Sequence, residues 1–177
     1  LMRSLAEAAA DHAGAELAVE ASTDRKEVLD GADYVILTFA NGTVKYRDID
    51  CKVSAKYGIR MCSGDTIGPG GIFRALRELP SVLAAATDIE SLCPGAWVIN
   101  YINPTAVIGL GLRRYAPRLK SFALCDGNRM PHVKRANAVR AGIISEQSRY
   151  SPEIDRRFDV AIAGPNHYTW MIGATFD

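Results

Sequence analysis

The stretch AWVINYINPTAV, residues 96–107, sets the fold class. Its first half is a compact apolar run rich in β-branched residues, the composition of a buried strand. Asn103 and Pro104 interrupt it, and TAVIGLGLRRYA, residues 105–116, resumes with helical spacing. A buried strand that hands over to a helix is half of a β-α-β unit, and the alternation repeats on both sides. Upstream, DYVILTFA (33–40) reads as a buried strand, 45–57 as a helix and GDTIGPGG (64–71) as a glycine-rich loop. The segment 72–93 has a 3.6-residue period, with Pro80 expected to kink it. Downstream come a strand at 119–126, a helix at 131–142 and a last strand at 158–167. Near the start, 1–12 reads as a helix, AELAVEAS (15–22) as a short strand, and 23–32 as a helix capped at Thr23. The pattern specifies an α/β fold, a mostly parallel sheet with helices on both faces.

With 177 residues, 48% of them apolar, the chain has enough material for a real core. The 21 basic and 20 acidic side chains nearly cancel, which argues against a nucleic-acid or membrane-surface partner. No apolar run is long enough to span a bilayer. Four cysteines without a CxxC pair read as reduced thiols and a cytoplasmic compartment. Both ends read as interrupted. LMRSLAEAAADHAG is a helix already in progress, and MIGATFD stops just after an apolar run.

In parallel sheets ligands sit beyond the C-terminal strand ends, so TFANGT, NYINPT, LCDGN and AGPNHYTW carry the functional question. Asn103 can cap the helix that follows, or offer an amide donor and a carbonyl to a sugar or a ribose. Cys125 alone is ordinarily a small apolar residue, with Asp126 beside it as a candidate proton donor. His167 ends the next strand, and a parallel neighbour would bring it toward Cys125. Two such ligands are too few for a structural zinc site but suit an open-coordination ion completed by substrate oxygens and water. GDTIGPGG is not a P-loop, although its backbone N–H groups can face a ligand and Asp65 can accept from sugar hydroxyls. His12 and His132 lie in helical segments and carry no assigned role.

Taken together, GADYVILTF, KYGIRMCSGDTIGPGGIFRALRELP, LCPGAWVINYINPTAV, FALCD and GPNHYTWM resemble the family 4 glycoside hydrolases. These are NAD- and metal-dependent relatives of the lactate and malate dehydrogenases. The resemblance implies a Rossmann-like NAD domain over 1–150, and the start of a substrate domain, largely missing, over 151–177. It implies O-glycoside hydrolysis by NAD+-dependent oxidation at sugar C3, C1–C2 elimination, water addition and re-reduction, a departure from the two-carboxylate scheme. Carried over, Cys125 and His167 become the ligands of a divalent ion, usually manganese. Thr38 and Asn103 face the cofactor, Asn103 and Asp65 face the sugar, and Asp126 protonates the leaving-group oxygen. The implied partners are a small carbohydrate substrate and other copies of the chain, as a homodimer or homotetramer.

Phospho-sugar members usually carry Gln-Glu-Thr in the glycine-rich loop and Arg-Asp-Glu ahead of KYG. Here those stretches read Gly64-Asp65-Thr66 and Ile49-Asp50-Cys51, with Arg47 nearby. The expectation is an unphosphorylated α-glycoside, with a uronide also compatible. The family's NAD-phosphate loop would lie upstream of residue 1 and its tyrosine base downstream of Asp177, so these residues by themselves are not expected to catalyse. Two other readings stand beside this one. A 2-hydroxyacid dehydrogenase relative would use a His–Asp pair and give Cys125 and His167 no joint purpose. A non-catalytic nucleotide-binding fragment would bind another protein instead of metal.

Overall fold

A computed structural model of the chain describes residues 1–61, 66–125, 131–149, 151–164 and 168–177, without the side chain of Thr43. The chain divides into two compact units, Leu1–Leu124 and Cys125–Asp177.

The first unit runs α1 (Met2–Ala13), α2 (Lys26–Leu29), β1 (Tyr34–Leu37), α3 (Thr43–Ala55), α4 (Gly68–Leu92), β2 (Trp97–Asn100), α5 (Thr105–Tyr115) and β3 (Lys120–Ala123). The three strands form one sheet in the order β1-β2-β3. Every pairing is parallel, with Leu37 opposite Asn100 and Asn100 opposite Ala123. The strand expected at 15–22 does not form. Its alternation is built from Ala and Glu, weak strand formers, with Val19 the only β-branched residue before the terminal serine. The helix expected over 23–32 shrinks to the single turn of α2. Asp24, not Thr23, satisfies its first N–H groups, accepting from Lys26 at 2.9 Å.

The core lies on one face of this sheet. Val82, Ala85, Ala86 and Ile89 of α4 meet Ile108 and Leu112 of α5, with Leu37, Val98 and Ile102 beneath them. The buried positions on α4 also include Ala75 and Glu78, so they follow helical spacing along its whole length. α4 continues through Pro80 as one helix of 25 residues. Proline deprives the carbonyl of Leu76 of its helical donor, but both residues are exposed, so water can take that bond. The opposite face of the sheet is more open than its sequence implies. Tyr34 is 69% exposed, Ile36 58%, Trp97 44% and Phe122 41%. Trp97 and Phe122 meet edge to face there, with ring centroids 5.9 Å apart.

The second unit contains α6 (Pro131–Arg140), α7 (Pro152–Arg157), β4 (Phe158–Ala163) and β5 (Trp170–Phe176). Ser151 caps α7 by accepting from the Ile154 N–H at 3.3 Å. Lys134, almost fully buried, reaches Asp155 at 2.8 Å and so ties α6 to α7. β4 pairs with β5 antiparallel, in a sheet of its own. This corrects the expectation of a parallel neighbour for the strand at 158–167. The link from Ala163 to Trp170 is far too short for a parallel crossover, which needs a dozen residues or more.

Candidate functional site

Because the three strands of the first sheet are parallel, their C-terminal ends fall along one side of it, the place where open α/β sheets hold ligands. The segments leaving β1 and β2 carry Thr38 and Asn103. Both are fixed by buried polar side chains that close on the backbone.

Behind β2, Asn100 is wholly buried. Its Oδ1 accepts the Ile102 N–H at 3.0 Å and its Nδ2 donates to the Ile102 carbonyl at 3.1 Å. The amide thus acts as a short piece of strand, pairing with backbone that has left the sheet. Neighbouring strands hold the same segment: the Tyr101 N–H donates to the Leu37 carbonyl and the Leu124 N–H to the Asn100 carbonyl, both at 2.9 Å. Asn103 follows, half-buried, with a cis peptide bond to Pro104. Its Oδ1 accepts from the Thr105 hydroxyl at 2.9 Å. Asn103 therefore does not cap α5 with its side chain. The bond takes one of the two lone pairs of Oδ1, so Asn103 can serve a ligand as a donor through Nδ2 and still accept through the other lone pair.

Behind β1, Thr38 is exposed and Asn41 is the anchor. The Asn41 N–H donates to both carboxylate oxygens of Glu78 at 3.0 Å. Its Nδ2 reaches Glu78 Oε2 at 3.0 Å, the Arg77 carbonyl at 3.2 Å and Ser81 Oγ at 3.1 Å. Glu78 is only 1% exposed, and Arg74 Nε lies 3.6 Å from it. One residue earlier, Arg77 grips Asp50 of α3 with two bonds, at 3.1 and 2.6 Å, and stacks over the Tyr46 ring. The bond to Asp50 raises the Arg77 pKa, against the opposing pull of burial. α4 thus secures both the loop behind β1 and the helix after it.

At the glycine-rich loop, Gly71 permits a close approach. A Cβ there would lie 2.8 Å from the carbonyl carbon of Thr66 and 2.9 Å from its oxygen. Nearby, an apolar pocket of about 340 Å³ is lined by Ile67, Ile72, Leu76, Leu79 and Val107. Among the described residues, none of Thr38, Asn103 and Cys125 lines it, and the described lining is apolar.

Of those predicted residues, Thr38 and Asn103 stand behind adjacent strands on the same side of the sheet. Cys125 is half-buried, two residues past β3, and opens the second unit. Asp65, Asp126 and His167 lie outside the described residues. Among the described residues no group of three or more His, Cys, Asp or Glu side chains gathers in a way that would hold a metal ion. None of their helices is long and apolar enough to cross a membrane. Glu78, Asn41 and Asn100 were not singled out from sequence. Their signal was register: Glu78 occupies a buried stripe position on α4, and Asn100 shares the buried face of β2 with Val98.

The profile of the family described as family 4 glycosyl hydrolase matches residues 2–136. This chain belongs to that family, and its fold is an α/β one built on a parallel sheet. Among its relatives, an alpha-galacturonidase of Thermoanaerobacter italicus is 39% identical over 151 residues, covering 85% of this chain and 32% of that protein. An alpha-galacturonidase of Lachnoclostridium phytofermentans is 35% identical, covering 89% of this chain and 33% of its own length. The solved 6-phospho-beta glucosidase from Thermotoga maritima, with manganese, NAD+ and glucose-6-phosphate, shares the fold. It superposes with a TM-score of 0.67 at 24% identity, over 88% of this chain and 34% of that one. The chain spans about a third of the length of these relatives.

Proposed function

We propose that this chain supplies part of the nucleotide- and sugar-facing site of an NAD+- and Mn2+-dependent glycosidase, acting on an unphosphorylated α-glycoside. The observation that carries this reading is the family match over residues 2–136. It spans the strand ends at which Thr38 and Asn103 stand, held by buried hydrogen bonds. Two alpha-galacturonidases among the relatives favour an α-linked uronide within that class. Cys125, a half-buried thiol just past β3, and His167 would be the protein ligands of the ion, and two such ligands would leave its other positions to substrate oxygens and water.

When bound, the nucleotide would accept and return hydride at sugar C3, and the ion would stabilise developing oxygen charge as a Lewis acid. The chain's own residues bind and move protons. Asn103 Nδ2 donates to a sugar or ribose hydroxyl, while its Oδ1 accepts from the Thr105 hydroxyl. Thr38 contacts the nucleotide, and Asp65 accepts from a sugar hydroxyl. Asp126 donates a proton to the glycosidic oxygen as the C1–O bond breaks, which suits an α-linked leaving group. A cytoplasmic homodimer or homotetramer completes the proposal.

The test is turnover of p-nitrophenyl α-galactoside and α-galacturonide by the full polypeptide that carries these residues, with NAD+ and Mn2+ supplied together, singly and not at all. Turnover that requires both supports the reading. Asp126→Ala should then slow substrates with poor leaving groups far more than p-nitrophenyl ones. Turnover indifferent to both additions, or none on any α- or β-glycoside, would sink it.

A further inference from the structure

Every other buried position on the inner stripe of α4 belongs to a small or aliphatic residue, including Ala75, Val82, Ala86 and Ile89. Glu78 breaks that rule at 1% exposure. A carboxylate withdrawn from water is costly unless its lone pairs are taken up, and here they are taken up mainly by one residue. Three of the bonds come from Asn41, two of them from its backbone N–H. Arg74 Nε stays at 3.6 Å, an ion-pair distance beyond hydrogen-bond reach. The carboxylate is therefore spent on holding backbone that belongs to a loop.

We propose that Glu78 is a positioning residue: by clamping the Asn41 backbone it fixes the loop that presents Thr38, and thereby sets the affinity for a nicotinamide nucleotide at the strand ends. This rests on the nucleotide-binding part of the proposed function. The geometry leaves the loop little freedom. Leu37 is pinned at one end, where its carbonyl accepts the Tyr101 N–H at 2.9 Å. Asn41 is pinned at the other, so only Thr38, Phe39 and Ala40 span between two fixed points. Beyond Asn41, the Arg77–Asp50 bonds secure α3, so slack cannot be taken up on the far side. Preorganised loops lose less entropy when a ligand arrives, and that difference appears directly in affinity.

The experiment compares the full polypeptide that carries these residues, as parent, with its Glu78→Gln variant and its Glu78→Asp variant, which keeps the charge but draws it back by one methylene. NAD+ affinity is measured by calorimetry, and amide hydrogen exchange is followed at Asn41 and at the core residues Val98 and Ile108. The clamp predicts that NAD+ binding weakens about tenfold in both variants. The Asn41 amide should exchange faster while Val98 and Ile108 keep their protection. Asn41→Ala retains the backbone N–H and should lose less affinity than either Glu78 variant. Unchanged NAD+ affinity in a variant whose Asn41 amide is deprotected would overturn the role, as would simultaneous loss of protection at Asn41 and the core in both variants. A parent that binds no NAD+ removes the proposed function and this inference together. A parent that binds, with variants that bind equally well, removes only the inference.

Discussion

Two glycines on α5 offer a test of how closely that helix is packed, because alanine should have opposite effects at them. Gly109 and Gly111 both lie inside the helix, so replacing either by alanine gains about 1 kcal/mol of helix propensity. The surroundings differ. Among the described residues, a Cβ at Gly109 would meet the Ala123 Cβ at 3.3 Å, a contact relieved by a shift of a few tenths of an ångström. At Gly111 it would lie 2.5 Å from Leu79 Cδ1 and 3.7 Å from two further atoms of the same side chain. Leu79 packs against the core on one side and lines the apolar pocket on the other, so its displacement costs at most an overpacking event of roughly 1–3 kcal/mol. The propensity gains cancel between the variants, and the difference in their stabilities is the packing cost alone. Gly109→Ala should therefore match or exceed the parent, while Gly111→Ala falls below Gly109→Ala by at most about 1–3 kcal/mol. Urea denaturation followed by far-UV circular dichroism measures both. Adding Leu79→Ala to Gly111→Ala should recover part of the loss, as a double-mutant cycle for residues in direct contact. A Gly111→Ala protein as stable as Gly109→Ala would refute the claimed closeness of α4 and α5.

Asn100→Ala strands the buried N–H and carbonyl of Ile102, so it should cost about 2–4 kcal/mol, read from the denaturant midpoint. If the midpoint does not move, Asn100 is not the brace behind β2. Burial pushes the Cys93 thiol pKa up from its ordinary 9.0, with the charge of Asp30 adding to the effect. An acid whose folded pKa is raised stays protonated in the fold while the unfolded chain ionises, so stability falls as pH rises above about 9. The contribution has a slope of at most about 1.4 kcal/mol per pH unit. Cys93→Ala should flatten the stability–pH curve there, and a variant with the parent's slope would contradict the assignment.

The parallel sheet was legible because DYVILTFA, AWVINYI and LKSFALCD concentrate apolar residues in runs of strand length, with helical periods between them. α4 was legible on the same ground, and Pro80 does not divide it, because the Leu76 carbonyl that loses its helical donor belongs to an exposed residue. The second sheet departs from its sequence pattern for a reason of chain length. Whether a strand joins as a parallel or antiparallel partner depends on the connection, and WMIGATF was not recognised as a returning strand. At the site, the sequence puts Thr38 inside the strand expected at 33–40 and Asn103 just past AWVINYI, whereas β1 ends at Leu37 and β2 at Asn100. Glu78 and Asn100 could not be singled out, because a polar residue within an apolar register reads as an interruption until its partner is known. Their partners, Asn41 and Ile102, satisfy them through the backbone, which sequence patterns do not mark.

The division of the chain has an optical consequence. Its two tryptophans fall one to each unit, Trp97 in the parallel sheet and Trp170 in the antiparallel pair. Each unit thus carries its own chromophore, in distinct surroundings: Trp97 lies edge-on to Phe122, while Trp170 is 76% exposed. In a Trp170→Phe protein the remaining emission reports the first unit alone, and in Trp97→Phe it reports the second. If the two emissions change at one denaturant concentration, the units melt as a single cooperative block. If they change at two, each unit is a separate foldon, and the segment that begins at Cys125 can open while the β1-β2-β3 sheet stays intact.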